Sequence, residues 1–187
     1  YDFPFQGPLD KLEEFRKRQF LVTYQVVLPP GRYTLESAIL DREASTVSAR
    51  RSSVIVPPVR QAVGISSISL VRRLDPQSAE AGTADPFHFQ GNRIVPRLDA
   101  RLQSAAGAGL SFYFVVYPVA SDPSSPQLTM ELSKEGEVIG NVTPELPAPD
   151  ARGLIPYIAS FPLEKFPPGQ YELRAVVRQG NTAAEER

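Results

Sequence analysis

Apolar residues along this chain come in short bursts that alternate with polar ones, and Pro and Gly punctuate the intervals. Such runs, of strand length and rich in Val, Ile, Leu, Tyr and Phe, predict β-strands rather than helices. Strands are predicted at residues 20–28, 32–41 and 46–56, then at 65–73, 93–96, 110–118, 127–133, 137–142, 156–161, 170–178 and 182–187. One departure lies near the start, where Leu9, Leu12 and Phe15 recur at near-helical spacing within residues 8–18, acids leading and bases trailing as a helix dipole favours. The pattern predicts an all-β chain of tandem immunoglobulin-like antiparallel β-sandwiches, with one short N-terminal helix.

A duplication underlies the tandem arrangement. Residues 28–35, Leu-Pro-Pro-Gly-Arg-Tyr-Thr-Leu, recur 138 positions later as Phe-Pro-Pro-Gly-Gln-Tyr-Glu-Leu, with five of the eight positions identical. The alignment continues, since Ala38-Ile39-Leu40 matches Val176-Val177-Arg178, and after a hairpin two residues shorter Thr46 matches Thr182 and Arg51 matches Arg187. Two copies of one corner imply two related sandwiches. In each corner the proline pair ending at Pro30 or Pro168 stops the incoming strand. Gly31 and Gly169 are expected to supply a backbone angle that other residues resist, and Tyr33 and Tyr171 open the next strand. In immunoglobulin-like corners such a tyrosine packs its ring in the core and returns its hydroxyl to a nearby carbonyl.

Pro57-Pro58 ends the third strand, because consecutive prolines cannot donate to a sheet. Residues 1–58 are therefore expected to be the C-terminal part of a first sandwich, incomplete on its N-terminal side; residues 59–64 a linker; and residues 65–187 a second sandwich. Its last strand is truncated relative to the first copy, which runs on to Val54-Ile55-Val56. Three strands and a helix cover too little surface for a sandwich core, so the remaining strands of the first body are expected to precede Tyr1 or to come from another chain.

Composition removes several classes of function. The 20 Lys and Arg residues balance 21 Asp and Glu, leaving a net charge of −1 and no basic excess to gather phosphates, so nucleic acid is not an expected partner. There is no cysteine and one histidine, His88, which excludes disulfides, thiolate zinc sites and cysteine nucleophiles within these residues. Apolar runs such as residues 112–116 fall far short of the roughly 18–20 residues of a membrane helix, so no transmembrane segment is expected. The chain opens at Tyr1 without a charged-then-apolar leader, so any targeting signal is expected to have been removed or to lie outside it.

Several phrases resemble a known group of proteins. They are residues 28–36, Asp41-Arg42-Glu43, residues 49–53, Leu70-Val71-Arg72-Arg73, Asp85-Pro86-Phe87 with Phe89-Gln90-Gly91, residues 112–118 and residues 144–150. Nearly the whole chain is similar to the stretch following the A domain in von Willebrand factor A-related proteins known chiefly from acidobacteria. The resemblance implies a bacterial periplasmic, cell-surface or secreted location. The family's A domain would carry an Asp-x-Ser-x-Ser metal-ion adhesion motif; these residues contain none, so metal-dependent adhesion is not assigned to them.

Candidate chemistry is sparse. His88 between Phe87 and Phe89 reads as structural or exposed, and Glu131, Glu135 and Glu137 as strand and turn carboxylates rather than a glycosidase pair. Arg50-Arg51 and Arg72-Arg73 point to alternate faces of strands and read as surface ion pairs. Gly107-Ala108-Gly109 precedes a strand, whereas a phosphate-cradling loop would follow one, and Asn141-Val142-Thr143 is a chance glycosylation triplet. Residues 110–118 are apolar on both faces. Tyr113, Val115 and Tyr117 are therefore expected to meet a long loop, a neighbouring module or a partner protein. No catalytic, metal or cofactor residues are assigned. The expected function is a non-catalytic structural and protein-interaction segment of a larger envelope protein, and the alternative is a carbohydrate-binding module that stacks sugars on exposed Tyr113 and Tyr117.

Overall fold

The computed structural model describes residues 22–58, 61–76, 85–99, 101–102, 109–163 and 166–187, together with Pro8, Asp10 and Glu13. The predicted helix over residues 8–18 lies almost wholly outside the described residues. The chain divides into two compact units, Tyr1–Pro57 and Pro58–Arg187.

The described part of the first unit is built on one long hairpin. Strands β1 (Gly31–Asp41) and β2 (Thr46–Val56) pair antiparallel over their whole length, from Gly31 opposite Val56 to Asp41 opposite Thr46, without a bulge. The tight turn is fixed by Asp41, whose carboxylate accepts the backbone N–H groups of Glu43 and Ala44. Residues 22–29 form no strand, contrary to the alternation of their sequence. Alternation selects the face of a strand, but a strand also needs a neighbour for its N–H and C=O groups. No sheet among the described residues includes this segment.

The second unit is an antiparallel β-sandwich. Its first sheet contains β3 (Gly64–Ile65), β4 (Ser69–Pro76), β5 (His88–Phe89), β6 (Asn92–Pro96), β7 (Gly109–Tyr117) and β10 (Ile155–Pro162), in the order β10-β7-β4-β6-β5 with β3 on the end of β7. Its second sheet contains β8 (Gln127–Lys134), β9 (Glu137–Val142), β11 (Tyr171–Gln179) and β12 (Thr182–Glu186), in the order β12-β11-β8-β9. The alternating residues Phe112, Phe114 and Val116 of β7 face Leu128 and Met130 of β8 and Leu173, Ala175 and Val177 of β11, and Ile155 and Ala159 of β10 join them in the core. This is the period-two pattern of the sequence converted into buried apolar area, the main driving term for such a fold.

Two-residue turns set the hairpin registers. Gln90-Gly91 joins β5 to β6 and Glu135-Gly136 joins β8 to β9, each with both residues at positive φ, the turn whose twist matches paired strands. The strand predicted over 65–73 is divided: β3 docks on β7, Ser66 exchanges hydrogen bonds with Val115, and β4 begins at Ser69. Val63, assigned to a linker by its sequence, is a core residue of the second unit and donates its N–H to the Thr182 hydroxyl.

Candidate functional site

The two corners reproduce one another in atomic detail. The Tyr33 hydroxyl donates to the Pro29 carbonyl at 2.8 Å and the Tyr171 hydroxyl to the Pro167 carbonyl at 2.6 Å, each four residues back. The Tyr171 ring is half-buried, edge-on to Phe166 at 5.5 Å and below the Lys134 ammonium at 5.9 Å. The glycines act differently from expectation, because neither Gly31 nor Gly169 has a positive φ. Space does not require them either: a Cβ on Gly169 would lie 2.5 Å from Lys134 Cε, the far end of a flexible side chain, and one on Gly31 would make an ordinary contact with the Tyr33 ring at 3.4 Å. Pro30 and Pro168 precede these glycines directly, so each corner opens on a stopped strand.

The outer face of β7 is covered from within the second unit, by the β5–β6 hairpin and the residues leading into it rather than by a long loop. Beyond a bulge between Val71 and Arg73, β4 carries the β5–β6 hairpin, and Phe87, Phe89 and Ile94 pack with Tyr113 and Val115 in a second apolar cluster. Tyr113 is 5% exposed, its hydroxyl donates to the Pro86 carbonyl at 2.7 Å, and burial pushes its pKa up to about 12. Tyr113 and Val115 are thus core residues rather than an interaction surface, and a sugar platform of two tyrosines is not present. Tyr117 alone remains half-exposed, with Gly64 packed under its ring.

Polar side chains of the sandwich are occupied in holding it together. Gln179, buried among apolar neighbours, accepts the Val119 N–H and donates to the Val119 and Ser124 carbonyls, pinning the loop between β7 and β8. Asp150 accepts the N–H groups of Arg152 and Leu154. Desolvation would raise its pKa, yet these bonds and the Arg152 guanidinium hold it below the usual carboxylate range. Arg174 on β11 binds Glu131 on β8 at 2.8 Å and Glu185 on β12, and its hydrogen bond lowers the Glu185 pKa. Glu131 is therefore an ion-pair member. Glu135 lies in a turn and Glu137 is exposed at the start of β9. His88 is half-buried on β5 opposite Arg93. Arg51 pairs with Glu36 and Arg73 with Asp75, while Asn141 is exposed on β9. Among the described residues no three His, Asp or Glu side chains converge in a group able to hold a metal ion.

What remains open is apolar. One cleft of about 200 Å³ enters the sandwich beside the edge strand β9, between Ile139 and Val142 on one side and Phe161 and Phe166 on the other, with Met130 and Leu173 at its base. The β1–β2 hairpin is a second open feature, where cross-strand pairing puts Tyr33, Leu35, Ser37 and Ile39 on one face with Val54, Ser52, Arg50 and Ser48, apolar side chains among polar ones. Leu35 is 57% and Ile39 75% exposed.

The same hairpin exists twice in one register. Ser37 opposite Arg50, Ile39 opposite Ser48 and Asp41 opposite Thr46 correspond to Ala175 opposite Glu186, Val177 opposite Ala184 and Gln179 opposite Thr182. Leu173 and Val177, the counterparts of Leu35 and Ile39, are 8% and 0% exposed. Sequence reasoning named the corner tyrosines but not Leu35 and Ile39. The repeat alignment contained the signal, because it places both beside residues of a buried face.

No helix among the described residues is long and apolar enough to cross a membrane. Compared with known proteins, the chain matches no family model, no curated protein and no solved structure.

Proposed function

We propose that the chain is a non-catalytic structural and protein-interaction segment of a larger bacterial envelope or secreted protein, of the von Willebrand factor A-related kind its sequence resembles. The observation that carries this reading is the paired exposure of twin positions: a face that is core in the second unit stands in water in the first. Apolar patches of that kind mark contact surfaces in proteins that are otherwise well folded. Burial of Tyr113 counts against the carbohydrate-binding alternative, since it withdraws one of the two rings a sugar would stack on.

The test is photo-cross-linking in the intact protein in its native cells, with the photoreactive residue p-benzoylphenylalanine in place of Ile39. Protein adducts at position 39, absent when the group replaces exposed Arg178 on the sandwich, are expected. Absence of adducts at position 39, together with saturable polysaccharide binding that Tyr117→Ala abolishes, would overturn the reading.

A further inference from the structure

The chain enters the second unit through a short strap laid along β7. Val63, 3% exposed and part of the core cluster, donates its N–H to the Thr182 hydroxyl at 3.1 Å. Gly64 and Ile65 then pair with Tyr117 and Val116 as β3. Ser66 closes the run: its N–H donates to the Val115 carbonyl and its hydroxyl oxygen accepts the Val115 N–H, both at 2.9 Å. The next pairing with β7 begins at Ser69, opposite Tyr113.

Two features set this strap apart from the sandwich it lies on. The strands it touches are paired without it, since β7 keeps β10 along residues 109–116 and β4 along residues 111–113, and β11 keeps β12. Its polar bonds are also easily given up. Of the three bonds named above, two end on side-chain hydroxyls, and both hydroxyls hold a second partner that stays when the strap leaves: Thr182 donates to the Gln179 carbonyl and Ser66 to the Ser67 carbonyl. The freed N–H groups turn to water, so each bond contributes little net, and the apolar burial of Val63 and Ile65 is what holds the strap shut. Segments of this kind open in steps of their own, below the free energy of global unfolding.

Resting on the structural part of the reading above, we infer that residues 61–66 are a tension-sensitive strap. Load drawn along the chain where it enters the second unit peels Val63 and β3 from β7 and leaves the two-sheet core folded. The strap closes again when the load falls, because Val63 and Ile65 return to apolar surroundings. Val63 is the first residue of the core cluster that such a load meets, and Ser69 anchors the chain afresh beside Tyr113. The segment thereby gains a reversible extension without loss of the sandwich.

The test pulls the 187-residue chain in optical tweezers between Gln61→Cys and Glu137→Cys, its only thiols, so that the first unit carries no load. A reversible low-force opening is expected to precede a larger unfolding step. Val63→Ala is expected to raise the open-to-closed ratio of the first step about 10-fold to 100-fold and to change the rate of the larger step by less than about threefold. Without load, hydrogen exchange followed by NMR in the unsubstituted chain is expected to show the Val63, Ser66 and Val115 amides exchanging through an opening at least about 10-fold more populated than the one that exposes β8 and β11. A single all-or-none step, a Val63→Ala effect equal on both steps, or exchange of those three amides in concert with the core would overturn the inference. Adducts at position 39 together with a single-step opening would keep the interaction reading and overturn this one alone.

Discussion

Val177→Ala and Ile39→Ala replace residues at equivalent places in the duplicated hairpin, and they separate a core from an unfilled one. Val177 is fully buried between β7, β8 and β12. Losing its two methyl groups forfeits about 1.6 kcal/mol of transfer free energy, and the remaining cavity brings the cost to about 2–3 kcal/mol. Ile39 loses three carbons but keeps only a quarter of its surface from water, which the same arithmetic values at about 0.6 kcal/mol. Because the two units need not unfold together, a single melting curve is the wrong instrument. Hydrogen exchange read by mass spectrometry, segment by segment, is the right one. Val177→Ala is expected to lower protection in β8 and β11 by roughly 30-fold to 150-fold, about 1.4 kcal/mol per decade. Ile39→Ala should change protection in β1 and β2 by no more than about threefold. If Ile39→Ala cost as much as its twin in the 187-residue chain, the face would already be buried and the argument for an absent partner would fail.

Three further outcomes follow from individual contacts. Tyr171→Phe removes the bond to the Pro167 carbonyl while keeping the ring, and should destabilise the second unit by about 1 kcal/mol in urea denaturation. Gln179→Leu leaves the Val119 N–H and two loop carbonyls without their partner, so a loss of about 2–4 kcal/mol and faster exchange across residues 119–124 are expected. Tyr113 is held neutral by burial, its folded value of about 12 lying above the ordinary tyrosine value near 10. Its contribution is fully present below pH 10 and is lost as pH rises from there through 12. Tyr113→Phe should flatten stability over that alkaline window, checked by denaturation midpoints from pH 9 to 12 with tyrosinate absorbance followed in parallel.

The strands of the sandwich were legible because alternation and turn chemistry agree in them. β7, β8, β9, β10, β11 and β12 fall within a residue or so of their predicted bounds, and a glycine turn or a proline marks at least one end of each. β5 was not legible, since two residues carry no period. The segment over 22–29 misled for the opposite reason, having a period but belonging to no sheet among the described residues. The corner tyrosines were readable as a local motif, with donor and acceptor four residues apart. The cover over Tyr113 and Val115 was not, because it depends on how a bulged β4 redirects the β5–β6 hairpin. Gln179 was invisible for a similar reason, its partners lying 55 to 60 positions away on another loop. Gly31 and Gly169 show that the presence of glycine in a turn does not identify its cause, for neither has a positive φ and a Cβ would meet only an ordinary contact at one and the flexible end of Lys134 at the other.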